Sequence, residues 1–135
     1  MLRVGRARND DFDPELREVF FAEIEEVTRT LEGAFAAWRV NAADQVALKN
    51  LRRGFHTIKG SALLVGSNEL GEFCKPLEEL TIKLMEAQVK ISPPILVTIE
   101  QAIGLLPAFA KSTRDGRAPP AQAHSIAKRA QRLLG

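Results

Sequence analysis

Residues 48–80 read LKNLRRGFHTIKGSALLVGSNELGEFCKPLEEL. Leu48, Leu51, Phe55, Ile58 and Ala62 recur at spacings of three and four, the period that places side chains on one face of a helix. Gly66-Ser67-Asn68-Glu69 then joins a residue suited to ending one helix to residues suited to starting the next. Beyond it Leu70, Phe73, Leu77, Leu80 and Leu84 resume the same spacing. Two amphipathic helices joined by so short a turn run antiparallel and bury their apolar faces together.

The pattern extends in both directions. Asp13-Pro14-Glu15 offers a capping carboxylate, a proline at the first helical position and an acid at the positive dipole end. Leu16, Phe20, Ile24, Val27, Leu31, Phe35 and Trp38 follow as one apolar stripe, with Glu23, Glu25, Glu26, Arg29 and Glu32 elsewhere on the helix surface. Asn41-Ala-Ala-Asp44 supplies a turn and a fresh cap. After Ser92-Pro93-Pro94 a fourth stripe carries Leu96, Ile99, Ile103 and Leu106, and Pro107 is expected to end or kink that helix. Strand signals are nearly absent. The expectation is an all-α protein, an antiparallel four-helix bundle with short loops over residues 11–111.

A flexible basic segment at 1–10 and a linker with a basic tail at 112–135 are expected to flank it. Residues 112–120 have linker composition, and the remainder fits a short basic helix with Ile126, Ala130 and Leu133 on one side. From Lys111 onward six basic residues stand against Asp115 alone, about +5, which leaves about −3 for the rest of a chain whose net charge is +2. The tail thus reads as an appendage to a mildly acidic domain.

An apolar fraction of 45% with 27% charged residues indicates a globular protein rather than a disordered one. No apolar run approaches the roughly 20 residues needed to span a bilayer, and the N-terminus lacks the apolar stretch of a secretory signal. A single cysteine, Cys74, cannot make an internal disulfide. These features predict a cytoplasmic protein that does not engage membranes.

Within the second helix, His56 falls one position past Phe55, at the rim of the buried face and open to solvent. Arg52, Lys59 and Gly60 are its neighbours at three and four positions. A neutral imidazole nitrogen is a competent nucleophile toward a phosphoryl group. An ammonium at Lys59 would offset the anion so formed. Gly60 costs the helix up to about 1 kcal/mol, which makes sense if something bulky approaches there. No glycine-rich phosphate loop, kinase signature or paired-carboxylate magnesium site is present. A poised histidine without a nucleotide site suits a phosphoryl acceptor and donor, a transfer intermediate rather than an enzyme with its own ATP site.

Phe55-His56-Thr57-Ile58-Lys59-Gly60-Ser61-Ala62, with Gly66 ten residues past the histidine, resembles the His-x-x-Lys-Gly signature of histidine-phosphotransfer domains. The likeness spans roughly residues 11–110. It implies that His56 is phosphorylated by a histidine kinase and discharged to an aspartate of a response-regulator receiver. ATP and magnesium would come from those partners, and no cofactor or metal would be bound by the chain itself. Chemotaxis-type domains carry a glutamate twenty-two positions after the histidine, and here that residue is Glu78. The resemblance therefore points to the phosphorylated domain of a chemotaxis- or twitching-motility-type hybrid kinase, with Glu78 accepting a hydrogen bond from the imidazole. The linker-like ends fit a module cut from such a protein. The match departs at Lys75, where those domains commonly have a second histidine, and at Pro76, which is expected to disturb the third helix where it faces His56.

Arg52, Ser61, Leu63 and Leu64 are candidate docking residues, since an apolar rim beside the histidine would receive a partner's helix. Rival readings are an interaction scaffold with an inert histidine, nucleic-acid binding through the tail, and a small metal site using Cys74 and Glu78. The tail lacks interleaved aromatics and the bundle is acidic, so nucleic acid is disfavoured. Cys74 reads as a small buried hydrophobe, Trp38 as packing, and His124 as a surface residue.

Overall fold

The computed structural model describes residues 14–135, and every element among them is a helix or a connection between helices. The expected cap at Asp13 and the basic segment 1–10 lie outside the described residues. Helix α1 spans Pro14–Val40, α2 Gln45–Leu64, α3 Asn68–Met85, α4 Pro93–Arg114 and α5 Gln122–Leu133.

The connections are made by the residues the chain puts there. Asn41 accepts a hydrogen bond from the Ala43 amide, and Asp44 caps α2 by accepting one from Ala47 at 2.9 Å. At the end of α2, Gly66 has φ +79°; its amide donates to the Leu63 carbonyl and that of Ser67 to Ala62. This is the paired bonding that closes a helix on a left-handed residue. The same pairing ends α3 at Ala87 and α4 at Gly116.

Helices α1 to α4 form a closed ring in which α1 meets α2 and α4, and α3 meets α2 and α4. Cross-links set the antiparallel directions: Ser61 donates to Glu23, Arg39 pairs with Glu100, and Ser67 meets Thr113. The predicted stripes of α2 and α3 are buried throughout. So are Phe20, Ile24, Leu31, Phe35 and Trp38 of α1. Leu16 is exposed instead, and Phe21 and Thr28 are buried. The buried face of α1 is broader than one stripe because the helix is sandwiched between α2 and α4. On α4, Leu96 is only partly buried, while Ile95, Phe109 and Ala110 join the core.

Three expectations are corrected here. Pro107 does not end α4, which continues to Arg114. An exposed proline removes one amide donor, and core side chains on both sides of it, Leu106 and Phe109, hold the helix in place. Ser112–Arg114 therefore belong to the bundle rather than to a linker. The basic tail, read as an appendage, is packed: Ala123, Ile126 and Ala130 of α5 are buried against α3 and α4, leaving His124 and Lys128 on the surface. Finally, α4 is long and apolar enough to cross a membrane, with mean hydropathy 1.4 over an 18-residue window. Its buried side chains, Ile95, Ile99, Ile103 and Leu106 among them, line the bundle core.

Candidate functional site

The seam between α2 and α3 positions the chemistry. Antiparallel packing brings Glu78, the one buried charged residue among the described residues, across from His56. The His56 Nδ1–H donates to Glu78 Oε2 at 2.8 Å. A carboxylate can only accept, so the proton resides on Nδ1 and the lone pair on Nε2. The His56 side chain is 61% exposed, and Nε2 has no hydrogen-bond partner among the described residues. The imidazole is thus anchored on one edge and open on the other.

Lys59 stands on the second oxygen of the same carboxylate, with Nζ 2.7 Å from Glu78 Oε1. Its side chain is 29% exposed, against 9% for Glu78. Burial pushes the Glu78 carboxyl up, but the Lys59 ammonium and the His56 ring bonded to it prevail and hold it below the usual carboxylate range. Glu78 is therefore an anion at neutral pH, as its role of acceptor requires. Lys59 was expected to face an incoming phosphoryl group. Before any such group arrives it is paired with Glu78, a partner that sequence reasoning missed because the two residues are neighbours only across the seam.

Pro76 does not disrupt this arrangement. Helix α3 runs unbroken from Asn68 to Met85, and the Glu78 contact forms two residues past the proline. Cys74 is fully buried one turn before Glu78. Burial, with a further push from the Glu78 charge and a smaller opposing pull from Lys59, drives its thiol far above the ordinary thiol range. It behaves as the small hydrophobe expected.

The glycines divide by role. At Gly60 an added Cβ would meet nothing within 4 Å, so this glycine does not serve helix packing and leaves open space beside His56. Gly54 and Gly71 are different, and the sequence reading overlooked both. A Cβ at Gly54 would lie 2.5 Å from Leu31 Cδ2, and one at Gly71 would lie 3.3 Å from Leu63 Cδ2 and 3.6 Å from the Lys59 carbonyl oxygen. They set how closely α1 and α3 approach α2. Nothing in the one-dimensional pattern marks them, since each glycine's opposing residue is on another helix.

Of the docking candidates, Leu63 and Leu64 are 54% and 75% exposed, an apolar rim about two turns past His56 on the same helix. Arg52 is half-buried one turn before His56. Ser61 lies about 140° round the helix from His56, and its hydroxyl donates to Glu23 of α1 at 3.0 Å. It braces the α1–α2 seam rather than facing the histidine.

A buried carboxylate that orients an exposed imidazole, backed by a lysine and fringed by leucines on a helical bundle, is the equipment of a phosphohistidine carrier. The Hpt domain family model matches residues 15–109, and the chain belongs to that family, the histidine-phosphotransfer modules of two-component signalling. It is similar to the sensor histidine kinase CheAY of Helicobacter pylori, 27% identical over 101 residues. That match covers 75% of this chain and 13% of the length of the Helicobacter protein. The fold is also that of the phosphorylated P1 domain of CheA3 from R. sphaeroides, solved in complex with CheY6. The TM-score is 0.79 at 17% identity, over 89% of this chain and 95% of that one.

Proposed function

We propose that His56 Nε2 accepts a phosphoryl group from the catalytic domain of a histidine kinase and passes it to an aspartate of a response-regulator receiver. The observation that carries this reading is the pinning of Nδ1 by Glu78 on a side chain 61% exposed, with Nε2 unpaired among the described residues. The Nε2 lone pair attacks phosphorus and the N–P bond forms. The P–O bond to the leaving nucleotide breaks, with its electron pair going to the departing oxygen. Nδ1 keeps its proton, so the ring becomes a phosphoimidazolium whose positive charge faces Glu78. In discharge the receiver's carboxylate attacks phosphorus and the electron pair returns to Nε2. ATP and magnesium act on the partners, and this chain positions the imidazole and balances its charge.

The exposed Leu63 and Leu64 support docking of a partner helix beside the histidine. The likeness to CheAY supports a place within a larger, chemotaxis-type histidine kinase in the cytoplasm, where ATP is supplied. Incubation with such a kinase and labelled ATP tests the assignment. Acid-labile, base-stable label on the wild type and none on His56→Gln is the expected result; equal labelling of both proteins rules His56 out.

A further inference from the structure

Transfer of a phosphoryl group changes the charge at the site, and the described side chains near His56 do not cancel it. With the phosphoryl on Nε2 and the proton kept on Nδ1, the ring carries +1 and the phosphoryl oxygens −2, while Glu78 contributes −1 and Lys59 +1. Even if Lys59 leaves Glu78 Oε1 for the phosphoryl group, the cluster retains about one uncompensated negative charge. Keeping Lys59 where it stands, 2.7 Å from a carboxylate only 9% exposed, leaves the phosphoryl without an ammonium altogether. A further cation would offset that charge, and among the unpaired cations near His56 one stands across the seam on α3.

We infer that Lys75 is the second phosphoryl-stabilising cation, closing over the phosphorylated ring from α3 across the α2–α3 seam. This rests on the phosphohistidine reading above. The register places Lys75. Gly71 meets Leu63 and the Lys59 carbonyl, and Glu78 meets His56 and Lys59. Lys75 lies one turn after Gly71 and one turn before Glu78, opposite the Lys59 turn of α2. Cys74, its neighbour, is turned into the core, while Lys75 itself is exposed, so it stands on the solvent rim of the seam that His56 also occupies. Glu72 and Glu79 flank it on α3, yet no ion pair or hydrogen bond engages its ammonium among the described residues. Its flexible stem suits a charge that is recruited only when the anion arrives. Arg52 and Arg53, also without an ion pair among the described residues, lie a turn before His56 on α2 itself, whereas Lys75 approaches from the facing helix.

The full chain can be phosphorylated by phosphoramidate, in which the P–N bond breaks and ammonia leaves, and followed by phosphorus NMR as the pH is varied. A neighbouring ammonium favours the dianionic phosphoryl. Lys75→Gln should raise the pH midpoint of the phosphohistidine resonance by roughly half a unit, Lys75→Arg should restore it, and Lys128→Gln, which removes an exposed cation on α5, should leave it near wild type. Equal midpoints for wild type and Lys75→Gln overturn the assignment of Lys75 while leaving His56 as the acceptor. A wild type that gains no N-phosphoryl signal, or a His56→Gln variant that gains the same one, removes the underlying phosphohistidine reading and this inference with it.

Discussion

His56 Nδ1 and Glu78 Oε2 meet at 2.8 Å across twenty-two residues of sequence, and this one hydrogen bond decides which ring nitrogen is nucleophilic. It also ties the chemistry to the packing of two helices, because Glu78 reaches the imidazole only while α3 lies tight against α2.

Glu78→Gln keeps an oxygen that can accept from Nδ1 but loses the charge that holds Lys59. Phosphorylation of His56 should slow about tenfold or more. The carboxyl is held low in the folded protein, so its stabilising contribution is full above the unfolded value near 4.3 and is lost as the pH falls through the lower folded value. Urea midpoints of wild type and variant should therefore differ by a constant amount above about pH 5 and converge in acid. A difference that does not change with pH contradicts the shift.

Lys59→Ala leaves the Glu78 carboxylate buried with one partner instead of two. Stability should drop by about 1 kcal/mol, and phosphoryl transfer should fall by roughly ten- to a hundredfold. Circular dichroism should show helix content intact. Transfer at the wild-type rate removes Lys59 from the mechanism.

Gly60 and Gly54 predict opposite responses to one methyl group. Gly60→Ala enters open space and gains helix propensity, raising stability by about 0.5–1 kcal/mol. Gly54→Ala drives a Cβ into fully buried Leu31 and should cost about 1–3 kcal/mol. Thermal unfolding of the two variants checks the contrast. Gly60→Glu should fold like Gly60→Ala yet block transfer by bulk and charge.

Ala87 sits at φ +57°, closing α3 in a conformation that disfavours a Cβ. Its amide donates to Leu84 and that of Gln88 to Lys83, so the motif forms despite the strain. Ala87→Gly should raise the unfolding free energy by about 1 kcal/mol with no effect on phosphorylation. A loss of stability contradicts the strained assignment.

Leu64 is exposed about two turns past the histidine, so Leu64→Asp should leave the melting temperature within about a degree or two while weakening transfer to a receiver severalfold. Leu63 offers no such separation, because it also packs against Gly71. Unchanged transfer by Leu64→Asp removes the apolar rim from the docking surface.

The helices and most of their core were legible because each has one dominant buried face, and Leu48 to Ala62 and Leu70 to Leu84 show it at regular spacing. The nucleophile was legible too, since His56, Lys59 and Gly60 are neighbours along one helix. Features created by a second helix were not. The Lys59–Glu78 pair, the close approaches at Gly54 and Gly71, and the burial of Phe21 depend on what lies opposite. The short basic helix at the end was expected, but the docking of α5 was missed, because Lys128, Arg129 and Arg132 match in number the small apolar set, Ala123, Ile126 and Ala130, that seats it. Pro107 misled because a proline disfavours a helix locally by about 3 kcal/mol, and core packing on either side of it outweighs that cost.

Cys74 gives the molecule a reporter of its own breathing. Its thiol is shut behind the α2–α3 seam, fully buried and far less acidic than a free thiol, so an alkylating reagent meets it only when the two helices part. The alkylation rate of the native protein counts those openings directly. Because the opening that bares Cys74 also draws Glu78 away from His56, the same number measures how often the carrier forgets which nitrogen is its nucleophile.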